Sequence, residues 1–422
     1  MRKAWRWLTK NYEEYHDLLA ISVISLLANL GYGILNVSAI QPYAKQVGWT
    51  AQLGVIYAVF IVTEALARSP MGVLGDRIGR KPMFIGAAAV GAVTAFLWTV
   101  VPILWIILIV HAFDGVVFAA FYTTTIVAMT ESVSDEKRTM SMAVFIVTLL
   151  VGMSIGPVIG GYANELTHSK LTSFYITSAA LIGTAMMSIY FFPERITAAE
   201  RKEEAEGQLK SILAGIWLAL RAVPGYLLLS AFIYLPVGFI IPIVKLFAMS
   251  EFHFSEAEFG VAFIAGAAAV AVLSIASGWL TRTWGKNRVV QAGLVMAAVG
   301  TYLLVFIRIP WLDMIFAGLM GLGFVLTRPA WMSLYTDVAE PEVRGSIVGV
   351  MGLGQGAGLI TGVLLGSYFY QSVPVNVDGI HLTPHYTPFF AMALGMTVAA
   401  ILSFAFLKER TEPRLRAADM RQ

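Results

Sequence analysis

Several charged or titratable side chains lie deep inside long apolar runs of this chain, among them Glu64, Arg68, His111, Asp114 and Arg328. A charge at the centre of a lipid bilayer costs about 2.5–3.5 kcal/mol or more, so such residues usually face a protein interior or a wet cavity and are usually functional. A carboxyl group binds and releases a proton, and an imidazole changes charge between about pH 5 and 8. We therefore predict proton coupling at Asp114, His111 and Glu64.

Each of these residues also has a structural alternative. Glu64 and Arg68 are four residues apart, so on a helix they would share a face and form an internal ion pair. His111 and Asp114 are three residues apart, which also suits a buried hydrogen bond with no role in transport. Arg328 would either hold a negative group of a substrate or pair with an acid. The sequence leaves these alternatives open.

Amide and aromatic side chains in the same apolar runs are candidates for substrate binding. Asn29 and Asn36 are seven residues apart and share a helix face, where they either bind substrate or bond to a neighbouring helix. The aromatic side chains either line a cavity or face lipid and core. Together with Arg328, the predicted substrate-binding residues are Asn29, Asn36, Tyr32, Tyr122, Phe118, Tyr234 and Trp331.

A basic, glycine-rich turn at residues 72–81, Gly-Val-Leu-Gly-Asp-Arg-Ile-Gly-Arg-Lys, separates two apolar runs. Glycines let two helix ends approach closely, and charged side chains can hold the ends together. The alternative is a generic basic loop. We predict that this turn forms a gate together with the charged residues that flank the hairpin between the fourth and fifth apolar runs. The predicted gating residues are Gly72, Asp76, Arg77, Gly79, Arg80, Glu131 and Arg138.

The composition fixes the environment of these residues. The chain of 422 residues is 58% hydrophobic and 13% charged, whereas soluble domains are about 25% charged. A membrane span needs about 20 apolar residues. Twelve such runs occur, near residues 18–41, 52–73, 82–101, 103–129, 140–162, 171–192, 225–248, 258–280, 289–307, 311–335, 345–370 and 387–407.

The distribution of basic residues predicts the orientation. With both termini in the cytoplasm, 23 of the 29 lysines and arginines fall on the cytoplasmic side and 4 on the outer side. Lys245, Arg308 and Asp313 are then expected at the outer rim, with their charged groups reaching towards water. This arrangement predicts an integral protein of a bacterial-type plasma (inner) membrane.

The two halves of the chain repeat each other. A shift of 206 residues places Gly72 on Gly278 and Gly79 on Gly285, and other landmarks coincide over more than ninety residues without a gap. Six spans repeated in this way predict two parallel bundles. We assign residues 1–193 to an amino-terminal six-helix bundle, 194–224 to a cytoplasmic linker and 225–422 to a carboxy-terminal six-helix bundle.

A second glycine pattern lies in the fifth run, at residues 152–161, with the sequence Gly-Met-Ser-Ile-Gly-Pro-Val-Ile-Gly-Gly. Glycines every four residues give a smooth face for close backbone contact, and the proline removes a hydrogen bond and permits a bend. Ordinary helix packing is the alternative reading of this spacing. The residues that form the pattern are Gly152, Gly156, Pro157, Gly160 and Gly161.

The hairpin at 72–81 and the pattern at 152–161 resemble motifs of the major facilitator superfamily, the second being similar to the antiporter motif of its twelve-helix drug/proton antiporters. The resemblance covers nearly the whole chain. It implies an all-α membrane protein whose twelve transmembrane helices form two pseudo-symmetric six-helix bundles. It also implies secondary transport by alternating access, energised by a proton gradient and needing no cofactor.

One departure from the family pattern concerns the coupling. Family members commonly carry an arginine in the fourth span, four residues before a glycine, and a glutamine just before that glycine. The matching positions here hold His111 and Asp114, ahead of Gly115. The group that couples transport to protons therefore remains open at this stage.

We expect proton-coupled efflux of a small amphiphilic or drug-like compound, with proton-coupled uptake of an anionic small molecule as the alternative. A membrane-embedded enzyme or sensor is a different class, but the chain has no zinc-protease pair, nucleophile elbow or phosphate-binding loop. His381 and His385 have ligand-like spacing, yet Pro384 separates them, and we predict no metal site. The expected partners are the substrate, protons and the lipid bilayer, with no nucleic acid and a monomeric protein.

Overall fold

The computed structural model describes residues 2–134, 137–193, 224–337, 344–377 and 380–407. The predicted linker, residues 194–224, lies outside the described residues except for its last one. Nearly all of the described chain is helical, as expected for apolar segments whose backbone groups must bond within their own helix in lipid.

The first half of the chain forms long helices joined by short turns. They are α1 (Arg2–Gly33), a π-helical segment (Ile34–Ala39), α2 (Ile40–Gln46), a 3-10 turn (Thr50–Gln52), α3 (Leu53–Ile78), α4 (Arg80–Val100), α5 (Leu104–Glu131), α6 (Arg138–Thr167) and α7 (Thr172–Phe191). The second half repeats the scheme. It forms α8 (Pro224–Ile240), α9 (Val244–Glu251), α10 (Glu256–Trp284), α11 (Lys286–Ile307), α12 (Pro310–Asp337), α13 (Arg344–Ser372) and α14 (Thr387–Phe406).

A short β-hairpin, which the sequence analysis did not foresee, lies between α13 and α14. Its strands are β1 (Val375–Val377) and β2 (Ile380–Leu382), paired antiparallel. Apart from this hairpin, the all-α prediction is confirmed.

Among the described residues, nine helices are long and apolar enough to cross a membrane, and α8 with α9 forms a tenth span broken by a 49° bend. The two remaining predicted runs coincide with α10 and α13, each of 29 residues. Each of the twelve predicted runs is therefore helical, and the twelve-helix prediction is confirmed.

The helices are grouped in two compact units. Among the described residues, unit 1 takes 2–49, 59–193 and 253–264, and unit 2 takes 50–58, 224–252 and 265–407. Two short segments, 50–58 and 253–264, are assigned to the unit formed mainly by the other half of the chain. In unit 1, α1 packs on α6 and α4 on α7; in unit 2, α8 packs on α13 and α11 on α12.

Gly79 and Gly285, which the repeat places on each other, adopt the same unusual backbone conformation. Their φ angles are 97° and 86°, and each residue immediately precedes a helix, α4 and α11 respectively. Side chains other than hydrogen are strongly disfavoured at such angles. The repeat therefore extends to the backbone of the two corresponding turns.

The glycine pattern of α6 provides close contact with α1 and the π-helical segment. A Cβ atom at Gly156 would lie 2.6 Å from the nitrogen of Ile34 and 2.7 Å from backbone atoms of Gly33 and Leu30. Gly152 and Gly160 face the same helix in the same way, against Asn29 and Ser38. Gly161 instead faces the backbone of Glu256 at the start of α10. Pro157 lies within α6, which continues through it.

Gly156→Ala should lower the melting temperature by several degrees, because the added methyl group meets backbone atoms that cannot rotate away. Overpacking of this kind costs about 1–3 kcal/mol. Thermal unfolding of the detergent-purified protein measures the effect. Gly86→Ala in α4 is the matched control, since a Cβ there meets nothing within 4 Å. Equal melting temperatures for the two variants would show that the glycine face is not required for packing.

The expectation of a charged outer rim is wrong for two of its three residues. Lys245 and Asp313 are 0% and 2% exposed, whereas Arg308 is exposed, with its guanidinium 5.2 Å from the ring centre of Tyr386. The bend before α9 changes the direction of the chain just ahead of Lys245. If the seventh run is treated as one straight helix, Lys245 is therefore wrongly expected at the outer rim.

The loop before α14 is tied to α9 by polar contacts. His385 Nδ1 lies 2.6 Å from Glu251 Oε1, and the imidazole stacks on Tyr370 at 4.6 Å. Burial, together with the Glu251 and Asp313 carboxylates, raises the pKa of the Tyr386 hydroxyl, so this hydroxyl stays protonated at neutral pH. His385 thus contacts an acid and an aromatic ring of the same unit.

Candidate functional site

The Asp114 carboxyl group lies in the interior of unit 1 and is surrounded by hydrogen-bond donors. Thr94 Oγ1 is within hydrogen-bond distance of Asp114 Oδ1, and Trp98 Nε1 donates to Oδ2 at 3.4 Å. His111 Nδ1 lies 3.0 Å from Oδ2, and the Tyr32 hydroxyl donates to the backbone carbonyl of Asp114 at 3.4 Å. Side chains from three helices, α1, α4 and α5, therefore converge on this one acid.

This cluster is sealed from solvent. Asp114 and His111 are both 0% exposed. Phe60 stacks on the His111 imidazole at 5.0 Å, and Trp98 meets the imidazole edge-on at 5.4 Å. Gly115 lets α3 approach α5 closely here, since a Cβ would lie 2.6 Å from the carbonyl of Phe60. A buried acid with a titratable neighbour and several donors can hold either charge state with its hydrogen bonds satisfied.

Glu64 and Arg68 form the ion pair that their spacing allows. Arg68 Nε donates to Glu64 Oε1 at 2.6 Å, with Glu64 buried and Arg68 half-exposed. The Arg68 guanidinium also lies 4.6 Å from the ring centre of Tyr122, within the range of a cation–π contact. The acid is therefore neutralised within its own helix, and the cation is shared with an aromatic ring of α5.

A small aromatic cavity lies in unit 1, between α1, α5 and α6. Its lining residues are Ser25, Ala28, Asn29, Phe118, Phe121, Tyr122, Thr125, Phe145 and Leu149. Three predicted substrate-binding residues, Asn29, Phe118 and Tyr122, are among them. Tyr32 lies behind this wall, with its ring 5.1 Å from Phe118 and its hydroxyl on the Asp114 backbone. The cavity is thus one aromatic residue away from the buried acid.

The two asparagines of α1 and the π-helical segment bond to their own helix. Asn29 Nδ2 donates to the Ser25 carbonyl at 2.9 Å, and Asn36 Nδ2 donates to the Tyr32 carbonyl at 3.3 Å. Asn29 lies at the cavity and contributes to its lining. Asn36 lies in the π-helical segment, a form often found at functional sites.

Two of the predicted substrate-binding residues of unit 2, Trp331 and Tyr234, belong to or pack against its hydrophobic core. Trp331 is completely buried in the core, where its Nε1 donates to Ser230 at 3.1 Å and its ring stacks on Tyr226 at 5.5 Å. Tyr234 packs edge-on against Phe324. Arg328 is exposed, immediately before Pro329. Trp331 therefore lies in the packed core of unit 2.

At the predicted gate, Arg80 binds two acids. It forms an ion pair with Asp76, four residues earlier, and its Nη2 lies 3.5 Å from Glu131 Oε1 at the end of α5. Arg80 is 7% exposed, whereas Arg77 and Arg138 are exposed. Gly75 leaves room for the guanidinium, because a Cβ there would be 3.0 Å from Arg80 Nη1. The ends of α3, α4 and α5 are thus joined through Arg80, while Gly72 faces open space.

Arg80→Gln should lower the melting temperature more than Arg77→Gln, because Arg80 is buried between two acids and Arg77 is exposed. Hydrogen bonds to charged groups contribute about 1.5–3 kcal/mol each. Thermal unfolding of both variants in the same detergent measures the difference. Arg77 serves as the control for loss of one positive charge in the same turn. An equal or larger effect of Arg77→Gln would show that the contacts of Arg80 do not stabilise this turn.

Sequence reasoning missed two sets of polar residues. Thr94 and Trp98 are neutral members of an apolar run, and nothing in their local sequence marks them as partners of Asp114. Glu256 was also missed: it is 2% exposed, forms an ion pair with Lys170 and accepts a hydrogen bond from Asn164 Nδ2 at 3.0 Å. The sign available in the sequence was an acid at the start of α10, because an acid that becomes buried there needs a basic partner.

Comparison with known proteins gives a consistent result. The family model described as Major Facilitator Superfamily matches residues 21–241 and 226–422. The multidrug resistance protein MdtG of Dickeya zeae (strain Ech586) is 25% identical over 325 residues, covering 74% of this chain and 76% of MdtG. The class D tetracycline resistance protein of Salmonella ordonez is 24% identical over 366 residues, covering 85% of this chain and 90% of that protein.

The crystal structure of the nucleoside transporter NupG has a TM-score of 0.77 against this chain, with 13% identity, and covers 93% of this chain and 99% of NupG. At this identity the likeness concerns the fold. The predicted resemblance to the drug/proton antiporter branch is confirmed by the family model and by the drug-resistance relatives. Since the family model matches nearly all of the chain from residue 21 onward, the protein belongs to the Major Facilitator Superfamily and is a membrane transporter rather than an enzyme.

Proposed function

We propose that this transporter exports a small amphiphilic or drug-like compound in exchange for protons, with Asp114 as the group that carries the coupling proton. The observation that carries the proposal is the fully buried Asp114–His111 pair beside an aromatic cavity in the same unit. The relatives named for drug and tetracycline resistance support export, and the family supports alternating access powered by an ion gradient.

The chemistry of Asp114 suits this role. When the carboxyl group is ionised, the donors Thr94 and Trp98 compensate the charge in an otherwise apolar interior. When a proton binds, the charge disappears and His111, at 3.0 Å, adjusts its own hydrogen bonds. The two charge states therefore differ in how tightly α4 and α5 are held together, which is the kind of difference a transport cycle needs.

The lining of this small cavity matches an apolar aromatic group with one polar end. Its walls are the rings of Phe118, Phe121, Tyr122 and Phe145, and its polar groups are the Asn29 amide and the Ser25 and Thr125 hydroxyls. Apolar and aromatic walls with a few polar groups are typical of small-molecule sites. Asn36, Tyr32, Tyr234, Trp331 and Arg328 stay proposals as further substrate contacts.

Proton-coupled uptake of an anionic small molecule is the second candidate. The Arg68 guanidinium lies over Tyr122, which lines the cavity, so a cation is within reach of a bound substrate. For either direction we propose a monomer in a bacterial-type plasma membrane with both termini in the cytoplasm. Glu64 remains a second candidate for proton coupling, held by Arg68 until a substrate or proton displaces it.

Transport in proteoliposomes tests the proposal. Tetracycline, ethidium and uridine serve as an amphoteric, a cationic and a neutral probe, each measured with and without an imposed pH gradient. Efflux of tetracycline or ethidium against its own gradient, driven by the proton gradient, is the expected result. Accumulation of a probe on the side towards which the protons flow would instead favour uptake. Transport of no probe above empty liposomes, together with no response to the gradient, would count against a proton-coupled exporter of this substrate class.

A further inference from the structure

Thr94 in α4 has two hydrogen-bond acceptors for one hydrogen. Its hydroxyl lies 3.0 Å from the Gly91 carbonyl, three residues earlier in the same helix, and also within hydrogen-bond distance of Asp114 Oδ1. Thr94 is 5% exposed, so water does not substitute for either partner at the surface. A threonine hydroxyl carries a single hydrogen and two lone pairs, so its hydrogen serves one of these acceptors at a time.

The bond to Gly91 is what a threonine in a helix does by default. Thr99, further along α4, bonds to the Phe96 carbonyl at 2.7 Å in the same way, but it is only partly buried and lies near the end of the helix. Asp114 is therefore the additional partner of Thr94. Its Oδ2 faces Trp98 and His111, whereas Thr94 faces the other oxygen, Oδ1.

The charge of Asp114 decides which acceptor receives the hydrogen. An ionised carboxylate only accepts, so Thr94 must direct its hydrogen to Oδ1. A proton arriving from water forms an O–H bond on Oδ1, and this group can then donate to a lone pair of Thr94 Oγ1. The Thr94 hydrogen rotates to the Gly91 carbonyl, no bond within Thr94 breaks, and both states are fully hydrogen-bonded.

We propose that Thr94 is a positioning residue for the proton site and that its hydroxyl reverses direction each time Asp114 gains or loses a proton. The inference rests on the proposed role of Asp114 and adds the residue that stabilises both of its charge states. The other titratable or charged groups nearby are His111 on α5, Tyr32 on α1, and the paired Glu64 and Arg68 on α3.

Infrared spectroscopy of the full-length protein in lipid nanodiscs tests this proposal without a substrate, because the probe is the proton itself. The stretching band of a protonated carboxyl group is followed through a pH titration, and Asp114→Asn identifies the band of Asp114 by its loss. Three variants are compared with the wild type. They are Thr94→Val, which keeps the shape without the hydroxyl, Thr94→Ser, which restores the hydroxyl, and Thr99→Val, the matched control on the same helix.

We expect Thr94→Val to move the midpoint of the Asp114 band up by about one pH unit, because the ionised form loses a donor that the neutral form needs less. The band frequency should also change, since the acid O–H loses its acceptor. Thr94→Ser and Thr99→Val should leave both unchanged. A wild-type midpoint and frequency in Thr94→Val would overturn the Thr94 proposal alone. If Asp114→Asn has the same spectrum as the wild type, no band belongs to a protonated Asp114. That result would overturn the proposed role of Asp114 and, with it, the role of Thr94.

Discussion

Asp114→Asn should lower transport driven by a pH gradient at least about tenfold. Exchange of the probe with equal pH on both sides of the membrane should continue. The asparagine oxygen still accepts from Thr94 or Trp98, so the packing of α4 and α5 is retained. The amide cannot bind a proton at physiological pH, so the coupling step is missing. Uptake and exchange of tetracycline in proteoliposomes, measured with and without a gradient, separate the two effects.

The exchange assay is the control within the same variant. If Asp114→Asn loses exchange as well as gradient-driven transport, the residue is required for folding or binding rather than for coupling. If it keeps full gradient-driven transport, Asp114 is not the coupling group. Glu64, another buried acid of unit 1, then becomes the first candidate, and Glu64→Gln is tested in the same two assays.

Tyr122→Leu weakens binding of the probe about tenfold, which corresponds to about 1.4 kcal/mol. The ring of Tyr122 forms part of the cavity wall and also holds the Arg68 guanidinium at 4.6 Å, so leucine removes an aromatic surface and frees a cation next to the site. Tyr122→Phe keeps both functions of the ring and should bind the probe like the wild type. Equilibrium binding of ethidium or tetracycline to the purified protein measures the affinities.

Tyr162→Leu is the matched control, since Tyr162 is 49% exposed and does not line the cavity. An equal loss of affinity in Tyr122→Phe would assign the effect to the hydroxyl group and contradict the argument from the ring. An unchanged affinity in Tyr122→Leu would mean that the probe binds elsewhere.

The fold could be predicted almost entirely from the sequence, because in lipid the length of an apolar run and the placement of basic residues determine helical spans. The repeat placed Gly79 on Gly285, and both backbone angles bear this out. The pairing of Glu64 with Arg68 and of His111 with Asp114 followed from helical spacing, since both contacts lie within one helix. Local geometry was therefore sufficient for these contacts.

Contacts between helices were harder to predict. Thr94 and Trp98 reach Asp114 from a neighbouring helix, and their neutral side chains carry no sign of that partner. The contact of Arg80 with Glu131 could not be predicted, because it depends on how the start of α4 packs against the end of α5. The burial of Lys245 depends on the bend before α9. In each case the deciding fact is the direction of a side chain in three dimensions.

Proton release on substrate binding is the measurement that tests the central claim most directly. The purified protein, in weakly buffered detergent solution near neutral pH, is mixed with tetracycline or ethidium while a pH indicator is followed. A carboxyl group carries one dissociable proton, so the wild type is expected to release up to one proton per transporter. Asp114→Asn should bind the probe and release none. Release of a full proton by Asp114→Asn, or binding to the wild type with no release, would contradict the account.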